Sequence, residues 1–206
     1  MKRIIIAVIA IMCSGSAFAA QKPQLKGSLP GLFTKSDQQF TAEQYYEITP
    51  GKSVGIFSLG MSEKDVYKIA AEYYGEGSVE QTDVYFPEDE TQTPEKGLNV
   101  YLRGNSKPAL LLLLDTGNST TSTVRSITVY NESYAVKGSD IRVGSPFSLV
   151  EKNFKVRIDS YAGKWFATSD NGVNFDFTSA DMAPDGTLTI PSNEPVSLIM
   201  VWSVNK

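Results

Sequence analysis

The chain contains no histidine, and its only cysteine is Cys13. Histidine is the commonest general base and zinc ligand, and thiolates serve as nucleophiles and as ligands for soft metals. The absence of histidine excludes Ser-His-Asp and Cys-His catalysis. Because Cys13 falls in a segment that we expect to be removed, nearly all zinc and copper sites are excluded as well. We therefore predict no metal site, no cofactor and no enzymatic activity.

The chain also has no basic cluster and, after residue 20, no long apolar run. Without Lys2 and Arg3, 17 Lys and Arg stand against 23 Asp and Glu, a net charge of −6. This charge argues against nucleic acid as a partner. The apolar run Leu110–Leu114 has only five residues, whereas a membrane-spanning helix needs about 20. We therefore predict no transmembrane segment.

Residues 1–20 have the three parts of a secretory signal peptide: a basic start, a short apolar run and a small-x-small cleavage site (Lys2-Arg3, Ile4–Met12 and Ala17-Phe18-Ala19). We expect this segment to be removed and the mature chain to reside in the periplasm. The lack of cysteine in the mature chain favours a bacterial periplasm over a eukaryotic secreted protein. The alternative is a lipid anchor on Cys13, but Met12 occupies a position where such signals prefer a small residue.

The remaining residues, 21–206, predict a single α+β domain. The sheet should be mainly antiparallel, with one or two short helices on one face. The clearest helix follows Ser62, a good N-cap, because apolar residues recur at helical spacing from Val66 until Gly75. Strand-like runs cover residues 53–59, 79–86, 98–102, 109–114, 124–130, 156–161, 164–168, 173–177 and 196–203. Leu110–Leu114 does not alternate, so we expect that strand to be buried on both faces.

A second unit of similar order begins near residue 140. Asp140–Gly144 is typical of a strand ending in glycine, and Ser145-Pro146 of an N-cap followed by proline at the first helical position. Two interpretations stay open. The chain consists of two related strand–helix–meander halves, 53–131 and 139–203, or a common order of elements recurs within one domain.

Two acidic stretches are candidates for a calcium site and for a pair of catalytic carboxylates. Asp170–Asp176 alternates oxygen ligands, but Gly172 is misplaced for a calcium loop and no bidentate Glu follows, so a hairpin turn is the simpler interpretation. Glu88–Glu90 beside Pro87 is typical of a solvated loop rather than of the paired carboxylates of a glycosidase.

Part of the second half resembles a known family. Ser126–Tyr130 is followed by Arg142-Val143-Gly144-Ser145-Pro146-Phe147-Ser148, then by Met182-Ala183-Pro184-Asp185 and by Val196–Trp202. This order resembles the sigma-E-regulated envelope lipoprotein family of Gram-negative bacteria, whose function is unknown. The resemblance covers about residues 124–202. It implies an envelope location and transfers no catalytic residue. The chain lacks the lipidated cysteine at the mature N-terminus that is typical of that family.

We therefore predict a non-enzymatic periplasmic or envelope protein that binds another protein or a cell-wall or outer-membrane component. Tyr161, Trp165 and Phe166 form the predicted binding patch, and the alternative for these rings is core or edge packing. The alternative function is a periplasmic hydrolase that cleaves glycans with carboxylates alone. The two hypotheses differ in whether two carboxylates share a deep cleft.

Overall fold

The computed structural model describes residues 44–86, 93–115, 121–161, 164–183 and 185–204. The predicted signal peptide, residues 1–20, and the acidic run Glu88–Glu90 lie outside the described residues.

Two helices and fourteen strands are formed by these residues. A short 3₁₀ turn, Gln44–Tyr46, precedes them. The strands and helices of the first half are β1 (Glu47–Thr49), β2 (Ser53–Val54), β3 (Phe57–Ser58), α1 (Glu63–Tyr74), β4 (Val79–Val84), β5 (Glu95–Val100), β6 (Leu110–Asp115) and β7 (Thr123–Val129). Those of the second are β8 (Ala135–Val136), α2 (Phe147–Asn153), β9 (Val156–Tyr161), β10 (Lys164–Ser169), β11 (Val173–Phe177), β12 (Asp181–Met182), β13 (Leu188–Thr189) and β14 (Leu198–Trp202).

An eight-stranded sheet forms the centre of the fold, in the order β4-β5-β6-β7-β14-β11-β10-β9. Every neighbouring pair in it is antiparallel. A smaller sheet, β3-β2-β1-β8, contains the parallel pair β1 and β8. The predicted class, a mainly antiparallel α+β fold with two short helices, is confirmed at this level.

The order of the large sheet has an internal regularity. β4 to β7 follow α1, whereas β9, β10, β11 and β14 follow α2. The last strand of each set, β7 and β14, pair with each other at the middle of the sheet. The two predicted halves therefore contribute four strands each to the large sheet.

One face of the large sheet carries the hydrophobic core. Leu112 pairs with Leu98 on one side and Ile127 on the other, and all three are fully buried. On the second set of strands, Phe175 pairs with Ile199 and Ala167, and these too are fully buried. At about 25 cal/mol per Å² of apolar surface removed from water, such fully buried side chains are the main source of stability.

Both helices pack into this core. Helix α1 begins after Ser62, whose Oγ accepts the backbone N–H of Asp65 at 3.2 Å, and ends at Gly75. Its buried residues are Val66, Ala70 and Tyr74, which confirms the helix predicted from the apolar spacing. In α2, the ring of Phe147 meets Phe177 of β11 edge to face, with centroids 5.3 Å apart.

The start of α2 differs from the sequence-based prediction. Asp140–Gly144 is not a strand, although Gly144 N–H donates to the Val196 carbonyl at 2.8 Å. Pro146, not Ser145, is the N-cap residue. The Ser145 hydroxyl instead accepts the backbone N–H of Arg142 at 3.0 Å, within the turn before the helix. A serine hydroxyl can bond either to the first turn of a helix or to a nearby backbone group, and here Ser145 bonds within the turn.

Candidate functional site

The face of the large sheet that is opposite to the core lines an open groove of about 1400 Å³. Side chains alternate along a strand, so Leu111 and Leu113 of β6 point into the groove while Leu112 points into the core. The unalternating run Leu110–Leu114 therefore serves two surfaces. The expectation of burial on both faces is wrong for Leu111, which is only half-buried.

The sheet is strongly curved around this groove. Val84, at the end of β4, and Tyr161, at the end of β9, both line it, although β4 and β9 are the opposite edges of the sheet. Tyr85 and Phe86 follow β4 at the same rim and are exposed by 63% and 37%. The concave face is thus a trough with aromatic side chains at its two edges.

The floor of the trough is largely apolar. Leu198, Met200 and Trp202 are successive groove-facing residues of β14, and Leu111 and Leu113 are those of β6. β7 lies between these strands and contributes the hydroxyls of Ser126 and Thr128, which are 8% and 7% exposed. The Trp202 indole N–H donates to Asn174 Oδ1 at 3.1 Å. The side chains of the floor consequently offer few polar atoms.

One carboxyl group is buried in this apolar surface. Asp176 of β11 is 3% exposed, and its Oδ1 has no hydrogen-bond partner among the described residues. It lies between Leu198 of β14 and Phe166 of β10 in the strand register, and all three line the groove. Burial raises the pKa of Asp176 to about 7, and the positive charge of Lys164 opposes this only in part. Removing a carboxylate from water without a partner disfavours its charged form.

The groups around Asp176 come from the neighbouring strands. Tyr130, just after β7, lies next to Leu198 in the same row, and both burial and the charge of Asp176 raise the pKa of its phenol. Lys164, from β10, and Tyr161, from β9, pair with each other in the register and line the groove on the other side. Asp176 is therefore the acidic centre of a pocket with a lysine at its rim.

The opposite end of the groove is charged and open. Arg125 forms an ion pair with Glu95 of β5, and both side chains are about half-exposed. Asp115, at the end of β6, also lines the groove there. Ion pairs as exposed as this contribute little to stability, about 0–1 kcal/mol. The groove therefore has an apolar middle, a buried acid at one end and solvated charges at the other.

The structure separates the predicted binding patch. Tyr161 and Phe166 line the groove. Trp165 pairs with Phe177 and so projects to the core face of β10. The three rings therefore do not share a surface, because consecutive residues of a strand face opposite ways. Alternation along the strand predicted at 164–168 already places Trp165 and Phe166 on opposite faces, and the predicted patch did not take this into account.

Asp176 is the groove residue that sequence reasoning missed. Asn174, Asp176 and Thr178 alternate with apolar residues, a pattern that places all three on a solvent-facing side. The pattern identifies the face correctly, but the curvature of the sheet withdraws Asp176 from water. No local sequence signal carries that information.

The stretch weighed as a calcium loop is a hairpin turn. Residues 170–172 connect β10 to β11, with Ser169 and Val173 paired across it. Gly172 has a φ of +85°, and a Cβ there would stand 2.5 Å from the Trp202 carbonyl oxygen. Among the described residues no group of three or more His, Cys, Asp or Glu side chains could hold a metal ion.

A second aromatic cluster lies apart from the groove, on the core side. Tyr74 of α1 meets Tyr45 at 5.4 Å and Phe57 at 6.1 Å between ring centroids. The Tyr74 and Tyr134 hydroxyls share a hydrogen bond of 3.2 Å, and burial raises the pKa of both phenols. Mutually bonded hydroxyls inside a packed cluster are typical of structural packing.

Comparison with known proteins gives little beyond these observations. No family model and no curated protein matches the chain. Its fold is similar to the crystal structure of the uncharacterized protein yfeY from Escherichia coli, with 14% sequence identity and a TM-score of 0.46. That match covers 76% of this chain and 99% of the other. A likeness at this level carries no argument about function. Within the described residues, neither helix has the length and hydropathy to cross a membrane.

Proposed function

We propose that this chain is a non-enzymatic periplasmic protein of the bacterial envelope that binds an envelope protein or a cell-envelope component in the concave groove. The export signal read from residues 1–20 supports the location. The observation that carries the binding role is the groove itself, an open groove of about 1400 Å³ with a largely apolar floor. Large uncovered apolar surfaces with a few convergent polar groups are typical of binding sites.

The alternative hydrolase has one observation in its favour. A carboxyl group with a pKa near 7 is suited to general acid catalysis. A glycosidase needs a second carboxyl within about 10 Å of the first. Asp159 of β9 lies in the same row as Asp176, beyond Phe166 and about 10 Å away at two strand spacings, but it does not line the groove and forms an ion pair with Arg157. Among the described residues that line the groove, the other acid is Asp115.

The register keeps these two acids far apart. Asp115 lies on β6, three strands from β11 in the sheet order, a spacing of about 14 Å at roughly 4.8 Å per strand. Through the register of β7 and β14, the row of Asp176 crosses β6 beside Leu110, which places Asp115 about 20 Å further along the strands. This separation favours the binding role.

The resemblance of residues 124–202 to the sigma-E-regulated envelope lipoproteins forms part of the proposal, as does an origin of the two halves by duplication. The antiparallel contact of β7 with β14 supports the duplication, because it relates the two sets of four strands by an approximate twofold operation.

Site-specific crosslinking in the native envelope tests the binding role. A photoreactive residue at Met200, on the groove floor, should form a crosslink to an envelope component when the protein is exported. The same residue at Met182, which is 71% exposed and lies outside the groove, is the matched control. Equal crosslinking at both positions would contradict a role for the groove.

A turnover assay tests the alternative. The mature protein should show no hydrolysis of peptidoglycan, glycans or peptides. Turnover that is abolished by Asp176→Asn and kept by Asp181→Asn, an exposed acid on β12, would replace the binding proposal with the hydrolase.

For the aromatic patch, Phe166→Ala should weaken the crosslink at Met200. Tyr161→Ala should do so less, because that ring lies at the rim and is 38% exposed. Trp165→Ala tests the predicted patch of Tyr161, Trp165 and Phe166. If this variant folds but no longer forms the crosslink, Trp165 belongs to the binding surface after all.

A further inference from the structure

The groove combines an apolar floor with a single unpartnered acceptor. Asp176 Oδ1 is buried and accepts no hydrogen bond among the described residues. Buried polar groups are normally paired, and each exception calls for a partner. Asp176 lies on the groove face between Phe166 and Leu198. Because Oδ1 exposes almost no surface, a molecule in the groove can supply the missing donor only once the carboxyl group turns toward the groove.

The floor favours a hydrocarbon over a peptide. An extended peptide carries one N–H and one C=O per residue, and each of these loses its water when it lies on an apolar surface. Beside Leu111, Leu113 and Met200 such groups would meet the hydroxyls of Ser126 and Thr128, which are fewer partners than a peptide backbone of that length needs. The indole N–H of Trp202 is already bonded to Asn174. A hydrocarbon chain has no polar groups to satisfy.

The geometry also indicates a length. Leu198, which neighbours Asp176, and Trp202 are the first and last groove residues of β14. Four residues of a strand span about 13 Å. With C–C bonds of about 1.5 Å at tetrahedral angles, a zigzag hydrocarbon advances about 1.25 Å per bond and covers that distance with roughly eleven carbons.

From these three observations we propose that the groove binds a single-chain amphiphile, with its hydrocarbon tail along β14 and a hydrogen-bond-donating head group on the Asp176 carboxyl. This inference rests on the proposed binding role of the groove and names the ligand class. The Asp176 end holds the head because the remaining groove-facing residues of β14 are apolar. Lys164, Tyr130 and Tyr161 line that end of the groove, and the nearby Asp159, in the same row on β9, is held in an ion pair with Arg157.

The two tryptophans of the chain provide a built-in assay. Trp202 lies in the groove and Trp165 on the core face. In a Trp165→Phe variant, the emission of Trp202 should shift to the blue when dodecylammonium is added below its micellar concentration. In a Trp202→Phe variant, the emission of Trp165 should stay unchanged. A response from Trp165 alone would place the ligand elsewhere and overturn the proposal.

Three further probes separate tail, charge and donor. Butylammonium lacks the tail and should not bind. Dodecyltrimethylammonium keeps the tail and charge but has no N–H, and dodecanoate has an anionic head. At about pH 8, where Asp176 is ionised, dodecylammonium should bind about tenfold more tightly than either C12 control, the scale of one hydrogen bond to a charged group. Equal binding of the two ammonium probes would overturn the head-group assignment.

Two variants with matched controls complete the test. Asp176→Asn should reduce the preference for dodecylammonium to less than about twofold, whereas Asp181→Asn should keep it. Met200→Gln should weaken all C12 probes, whereas Met182→Gln should not. If no C12 probe binds while the Met200 crosslink to an envelope component persists, the amphiphile inference fails and the binding role of the groove stands. If both are absent, both fail.

Discussion

The buried carboxyl of Asp176 should make the stability of the protein depend on pH in a way that one substitution removes. The perturbation is Asp176→Asn, which keeps the size of the side chain and deletes its titration. In the folded protein the pKa of Asp176 is about 7, against a usual value of 3.8. Between these pH values the folded chain holds a proton at this site that the unfolded chain releases.

The sign follows from linkage. Stability falls with rising pH wherever the folded state binds more protons than the unfolded state. The contribution of Asp176 is therefore fully present below about pH 4 and is lost as the pH rises to about 7. At 1.36 kcal/mol per pH unit, the interval corresponds to a loss of about 4 kcal/mol. This figure is an upper limit, because water that enters the open groove lowers the cost of the charge. That reduction is small, since Asp176 is only 3% exposed.

Denaturant unfolding of both proteins at a series of pH values between about 4 and 8 measures this difference. All other titrating groups are common to both, so subtracting the two free energies of unfolding isolates Asp176. The wild-type protein should lose stability relative to Asp176→Asn by up to about 4 kcal/mol across the series. Asp181→Asn should show no such trend relative to wild type. A constant difference between wild type and Asp176→Asn would refute the reasoning, because Asp176 would then be solvated or paired.

Three further predictions concern packing, backbone geometry and export. Leu112→Asp should unfold the domain, as measured by circular dichroism, because a buried unpaired charge costs at least about 4 kcal/mol of folding free energy. Leu111→Asp, one residue away on the groove face, should leave a folded protein. Equal losses of stability in the two variants would contradict the assignment of the two faces. Gly172→Ala should lower the free energy of unfolding by about 3 kcal/mol in thermal or denaturant unfolding, because it forces alanine into a left-handed conformation and brings its Cβ against a backbone oxygen. An unchanged unfolding midpoint would show that the turn relaxes freely. The intact mass of the exported protein should correspond to a mature chain that begins at Ala20 or Gln21, and a lipid-modified species would count against this.

Much of the secondary structure was accessible from local pattern. β9 and β11 have the predicted bounds, 156–161 and 173–177, because alternation over five or six residues is a property of the strand alone. Helix α1 was equally readable, since its N-cap, apolar spacing and terminal glycine all lie within a few turns. The predicted strand at 140–144 was wrong, because alternation over only two apolar residues, Ile141 and Val143, before a glycine also occurs in a turn.

The candidate site was accessible only in part. The unalternating run at Leu110–Leu114 predicted burial on both faces of β6, and this prediction fails at Leu111 on the groove face. It could not indicate that one face meets the core and the other an open groove, because periodicity reports the character of a face and not what covers it. Trp165 and Phe166 are a different case, because alternation along the predicted strand 164–168 already separates them.

By itself, the sequence determined that the chain has no histidine chemistry and where α1, β9 and β11 form, since composition and short-range spacing decide both. Tertiary structure alone decided that the two edge strands of the sheet line one groove and that Asp176 lies buried in it. Curvature and burial arise from strand pairs far apart in the chain, such as β7 with β14. The pKa of a carboxyl group depends on the solvent that those pairings exclude.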